Sequence, residues 1–255
     1  MNAFQVLRKI GPFDIKNIGR DSLLNWMVIM PLLIALMLRL AMPPLITLIQ
    51  EELAFDLTPY MAPIVGGYFL VLFTPVLFGI VIGFLMLDER DDRTLLALRI
   101  TPMPLTSYLT YRLAIPMLIG AAMTLITFPL ANLAQLPVGT LLIVALFAAF
   151  EAPVFALFLA SFGENKVQGF AIMKGTGPIL VGPMLAYFIP ATWPGFVEYL
   201  FALLPTYWPV KLYWSLIEPG MHGPPALWAA GTVVYHVALL ALLLRRFNTM
   251  MDRLN

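Results

Sequence analysis

Residues Asp88-Glu89-Arg90-Asp91-Asp92-Arg93-Thr94-Leu95-Leu96-Ala97-Leu98-Arg99-Ile100-Thr101-Pro102-Met103-Pro104 decide how the whole chain is read. This stretch holds seven charged side chains in a chain that carries only 15 Lys or Arg and 14 Asp or Glu. Long apolar runs flank it on both sides. Charged side chains are expensive inside hydrocarbon unless paired, so the segment must lie at one face of a bilayer. Pro102 stops any helix here after about one to three turns, because its ring blocks the preceding turn. A short polar helix of that kind suits docking of a soluble partner better than catalysis.

Composition agrees with a membrane location. The chain is 61% hydrophobic and 11% charged, against about 25% charged in ordinary soluble domains. Mean hydropathy is +0.89. A helix needs about 20 apolar residues to cross about 30 Å of hydrocarbon, and several runs exceed that. The sequence therefore predicts an all-α polytopic membrane protein with almost no soluble mass. It has no cysteine, which excludes disulfides, thiol catalysis and Cys-ligated zinc or iron–sulfur sites. Its two histidines are far apart and form no histidine-rich metal motif. Basic residues Arg8, Lys9, Lys16 and Arg20 precede the first apolar run, but that run is span-length and no small-x-small cleavage site follows. It is expected to stay as a transmembrane helix rather than be removed as a signal peptide.

Read outward from the charged stretch, six spans are expected: about 23–42, 61–87, 109–130, 141–162, 167–189 and 227–244. They make one transmembrane domain over 21–255. Residues 1–20 repeat Phe4, Leu7 and Ile10 at helical spacing beside Arg8 and Lys9, which fits a short helix lying in the cytoplasmic membrane interface; Gly11-Pro12 breaks the pattern, and Phe13 to Ile18 can resume it. A frayed basic tail is the plain alternative. Residues 43–59, opened by Pro43-Pro44 and holding Glu51, Glu52 and Asp56, read as an outer loop. Over 193–218, prolines interrupt apolar runs that hold Trp193, Trp208 and Trp214. Two short re-entrant helices at the outer leaflet are expected there, with the tryptophans as an interfacial belt. Span five carries Gly169, Gly175, Gly177, Pro178, Gly182 and Pro183. It reads either as a bent packing helix or as a pore-lining or subunit-interface helix.

Charge placement sets the orientation. With both ends inside, 12 of the 15 basic residues fall on the inner side; only Arg39 and Lys211 lie outside, and Lys174 lies within a span. Cytoplasmic loops carry such an excess, so both termini are expected in the cytoplasm of a cell-membrane protein. Nothing in the chain points to nucleic acid.

The order of elements resembles the membrane subunits of type-2 ABC exporters, six-span permeases that work with a separate ATPase. The resemblance covers nearly the whole chain. Family members often place an acidic stretch, Thr-Leu and Thr-Pro after span two; Thr94-Leu95 and Thr101-Pro102 stand there, with Arg93 where the family usually has Gly. A Pro-rich segment often precedes the last span, and Leu204-Pro205-Thr206-Tyr207-Trp208-Pro209 is similar to it. Among relatives, the chain looks most like the small drug-export permeases, including those linked to fluoroquinolone efflux. The resemblance implies that residues 91–99 form the coupling helix, seated on ABC ATPase subunits through Asp91, Asp92, Arg93, Thr94, Leu95, Leu98 and Arg99. It also implies a second permease chain, identical or related. No G-x-x-x-x-G-K-[ST] phosphate loop occurs, so any ATP would be bound by the partner and the chain itself needs no cofactor. A solvated loop between spans is the plain alternative for 91–99.

Three polar residues fall inside spans. At about 1.5 Å per residue, Glu151 lies about 16 Å from the inner end of its span, His236 about 15 Å and Lys174 about 12 Å. A Glu151–Lys174 pair, with or without His236, is feasible. It would either fix helix register or form a polar site for a charged substrate. Three other functions stay open: a proton-coupled carrier using Glu151 or His236, an intramembrane enzyme, and a structural subunit of a larger complex. Inverted repeats expected of many carriers are not evident, and no serine or aspartate motif accompanies Glu151.

Overall fold

A computed structural model describes residues 3–92, 94, 104–189 and 192–252. Every regular element among them is helical. In chain order these are α1 (Ala3–Arg20), α2 (Ser22–Leu53), α3 (Thr58–Asp91), α4 (Leu105–Ala131), α5 (Val138–Phe162), α6 (Lys166–Ala186), α7 (Phe196–Phe201), α8 (Tyr207–Ile217) and α9 (Pro225–Asp252). Six of them, α2 to α6 and α9, are long and apolar enough to cross a membrane. The expected six-span, all-α architecture is the observed one.

α3 is the axis of the bundle. The most apolar window of α3 is 94% buried, against 11% for α2 and 17% for α9. Small residues let neighbours approach it closely, which drives helix association in lipid. A Cβ on Gly79 would overlap the Ala152 backbone of α5, and one on Gly83 would meet Leu159 Cβ at 2.8 Å. The first part of α3, Met61–Phe73, is wound as a π-helix. Tyr213 Oη donates to Ala62 O at 2.8 Å and Trp214 Nε1 to Pro63 O at 2.9 Å, so α8 clamps this widened segment.

Two ends of the bundle can be told apart. At the near end α1 packs on the start of α4, and the last described turns of α9 lie beside the end of α3. The far end carries α7 and α8. Several expectations are corrected here. α2 does not stop near Met42 but runs to Leu53 through Pro43 and Pro44. A proline removes one ladder bond and crowds one carbonyl; beyond the hydrocarbon, water can satisfy those carbonyls. The loop shrinks to residues 54–57, and Asp56 caps the next helix through Thr58 N at 2.9 Å. Likewise α1 continues across Gly11-Pro12. α9 passes Arg245-Arg246 and is helical to Asp252, the last described residue. Trp214 is fully buried rather than part of an interfacial belt, because its N–H has the Pro63 carbonyl as partner; Trp193 stays exposed.

Candidate functional site

The near end of α3 is a polar hub. Successive residues on a helix point about 100° apart, so Asp88, Glu89, Arg90 and Asp91 address different neighbours. Lys166, at the start of α6, reaches Asp88 at 2.9 Å and Asp21 at 2.6 Å, while its backbone N–H donates to Asp91 Oδ2 at 3.2 Å. Asp21 also caps α2 through Leu23 N and Leu24 N. Partial burial raises the Asp21 pKa, but the Lys166 bond and charge and these two N–H groups hold it below the usual aspartate value. Glu89 accepts from Tyr108 and from Arg112. Arg112 is fully buried and bonds Asp14 of α1 at 2.7 Å as well; Tyr111 Oη donates to the same Asp14 at 2.6 Å. Arg90 donates to Gly163 O at 2.8 Å. One turn of α3 thus ties together α1, α2, α4, α5 and α6.

The hub lies directly before the charged stretch. Asp91 ends α3, Asp92 follows as its C-cap, and both are exposed, as is Thr94. Arg93, Leu95, Leu98 and Arg99 lie outside the described residues. A displacement of residues beyond Asp92 would therefore act on five helices through one turn.

A second polar feature sits within the bundle. Glu151 and His236 are both completely buried, with His236 Nε2 3.3 Å from Glu151 Oε1. His236 Nδ1 is 2.7 Å from Thr232 O. A carbonyl only accepts, so Nδ1 carries a proton. Neither Nε2 nor either carboxyl oxygen has another hydrogen-bond partner. Polar atoms buried without partners are costly, so this contact marks a place where the bundle tolerates polarity. Glu151 opens the second half of α5, after a break at Ala149–Phe150. A helix N-terminus favours an acidic group there.

Lys174 does not join them. On α6 the buried positions are Gly169, Thr176, Leu180, Pro183 and Met184. Lys174 precedes Thr176 by two residues, about half a turn round the helix, and is exposed. The expected Glu151–Lys174 pair is therefore replaced by Glu151–His236. Lys174 instead lines a cavity of about 350 Å³ between α2, α3 and α6, whose walls include Trp26, Met27, Tyr68, Phe73 and Met173. Among the described residues it has no ion-pair partner.

The family model described as "Fluoroquinolones export permease protein Rv2686c-like" matches residues 14–244, from the hub residue Asp14 to the last turns of α9. The chain belongs to that family. The permease is 31% identical over 246 residues to the fluoroquinolones export permease protein Rv2686c of Mycobacterium tuberculosis strain ATCC 25618 / H37Rv. Its likeness to the protein MT2760 of strain CDC 1551 / Oshkosh is the same. Each alignment covers 96% of this chain and 94% of the relative. No solved structure matches.

Within this permease, the hub was only partly visible in the primary structure. Arg112 reads there only as one of the basic residues at the inner end of a span, and Asp21 or Ser22 as an available helix cap. Asp14, Glu89, Tyr108 and Tyr111 carry no such signal, because their partners lie 19 to 98 positions away. Span five's glycines are sorted by contact. Gly169 abuts Leu87 and Phe84, whereas Gly175 and Gly177 face open space beside the cavity.

Proposed function

We propose that this permease is the membrane half of an ATP-driven drug exporter. Two permease chains, identical or related, would form the pathway, and ABC ATPase subunits would dock at the near end, which faces the cytoplasm. The observation that carries this reading is the hub: one turn of α3 bonded to α4, α6 and the end of α5, and through Arg112 and Lys166 to α1 and α2, with Asp91 and Asp92 exposed at its end. ATPase movement against Asp91, Asp92, Arg93, Thr94, Leu95, Leu98 and Arg99 would tilt α3 and pull α1, α2 and α6 with it. α1 would lie in the interface, since it leaves Phe13 and Ile15 exposed while burying Asp14 against α4. α7 and α8 would close the outer end.

The substrate would enter the cavity between α2, α3 and α6. Aromatic rings and methionines there suit a flat apolar body, and the relatives' names point to fluoroquinolones. Lys174 would attract an acidic group on such a molecule. The test is co-expression with a candidate ABC ATPase, followed by drug-stimulated ATP hydrolysis in vesicles. Arg93→Glu or Leu95→Glu is expected to abolish stimulation or release the ATPase; normal co-purification together with normal export would overturn the reading.

One observation favours a second reading. A buried carboxyl beside an imidazole, as Glu151 and His236 stand here, is the kind of pair a proton-coupled carrier would use. Export that persists without ATP and stops when the proton gradient is collapsed would select it.

A further inference from the structure

Bordering the hub at Arg90, the near end holds a polar cavity of about 500 Å³ between α3, α5 and α9, lined by Arg90, Ser161, Phe162, Glu164, Arg246 and Thr249 among others. Two guanidinium groups are held in place around it. Arg90 Nη1 is pinned to Gly163 O at 2.8 Å and lies 2.9 Å from Met250 Sδ. Arg246 Nε donates to Ser161 O at 3.3 Å, and its guanidinium lies 3.9 Å from the Phe162 ring centre. An Arg side chain has five N–H donors. Among the described residues, the remaining donors of both arginines have no acceptor. Glu164, also on the rim, accepts from Gln168 Nε2 at 3.1 Å.

Immediately below the arginines the surface is apolar. Phe162 is 43% exposed and Leu242, one helical turn before Arg246, is 61% exposed. Both lie on membrane-crossing helices near their ends. Arginine forks match phosphate oxygens in geometry and charge, and basic pockets between transmembrane helices take acidic headgroups. We infer that this cavity binds the phosphate of an acidic phospholipid, with Arg90 and Arg246 on the phosphate and the acyl chains against Phe162 and Leu242. The apolar bed under the charges favours a lipid over a free anion. A bound lipid here would bridge α3, α5 and α9 beside the hub, so leaflet composition would bear on how firmly these helix ends are held.

The test uses the full-length protein in nanodiscs of phosphatidylcholine with or without phosphatidylglycerol, followed by tryptophan fluorescence during heating. Phosphatidylglycerol is expected to raise the unfolding midpoint, and inorganic phosphate added to plain phosphatidylcholine discs is expected not to. Arg246→Gln should lose the shift. Thr249→Glu, an exposed substitution that places negative charge in the cavity without removing either arginine, should lose it too and keeps the test valid if Arg246→Gln folds poorly. Equal shifts in wild type and both variants would overturn the site. A shift reproduced by inorganic phosphate alone would overturn its assignment to lipid. Loss of ATPase binding in the variants, with the lipid shift intact, would overturn it in favour of a protein contact.

Discussion

Arg112 is the residue on which the near end most depends. Its side chain is fully buried between Asp14 and Glu89. Removing one partner of a buried ion pair costs about 3–5 kcal/mol, because a charge is left without compensation. Arg112→Leu strands two carboxylates, so a loss at the upper end of that range is expected, read as a lowered unfolding midpoint or loss of folded protein in detergent. Arg112→Lys should recover only part, since a compact ammonium cannot fork between two acids. Glu151 behaves differently. An amide at this position has nearly the same shape and can donate to His236 Nε2, so Glu151→Gln should assemble normally while removing the carboxyl group. Drug selectivity or the pH dependence of export is expected to change, by comparison of transport across several drugs and pH values. Glu151→Gln that fails to assemble would mark the pair as purely structural.

At the scale of helices, close approach explains which glycines matter. Gly79 faces the Ala152 backbone, which cannot move aside as a flexible side chain could. Gly79→Leu is expected to force α3 and α5 apart and prevent folding, whereas Gly175→Ala and Gly177→Ala, facing open space, should leave yield unchanged. Expression in membranes and elution as a single species would decide between them. The short helices at the far end depend on Lys211. Its ammonium pairs with Glu198 of α7 and lies 5.5 Å from the Trp228 ring centre. Partial burial raises the Glu198 pKa, but bonds from Lys211 and Tyr207 and the Lys211 charge hold it below its ordinary value. Because the folded value lies below the unfolded one, the stabilisation is complete above the ordinary glutamate range. It is lost as pH falls through the lowered value. Acidification below that range should loosen α7 from α8 and change the emission of Trp208 and Trp228; Glu198→Gln should remove the pH step.

For the whole molecule, the hub converts one displaced segment into a concerted movement. α3 bonds at its near end to α4, α6 and the end of α5, and through Arg112 and Lys166 to α1 and α2; at its other end α8 clamps it through Ala62 and Pro63. A buried axis fixed at both ends tilts more readily than it slides. Lys166→Ala breaks the bonds to Asp21 and Asp88, which are partly exposed and each worth about 1 kcal/mol or less. Its expected effect is therefore small on stability and large on coupling: ATP hydrolysis continues but is no longer stimulated by drug. Measuring the two on the same preparation separates them.

The sequence by itself determined the number of spans, their order and the position of the charged segment. These follow from one-dimensional quantities: the length of an apolar run against the thickness of hydrocarbon, and the cost of leaving charge inside it. It also marked Glu151, Lys174 and His236 as out of place, and Asp21 as a cap. Which of them meet was decided only by the tertiary structure. Depth along a helix is legible from residue counting, but the rotation of each helix is set by packing: Gly79 and Gly83 against α5, and Gly169 against α3. That rotation turns Glu151 to His236 and Lys174 to the cavity. It also assembles Asp14, Glu89 and Arg112 from three separate helices, and brings Arg90 and Arg246 to one cavity.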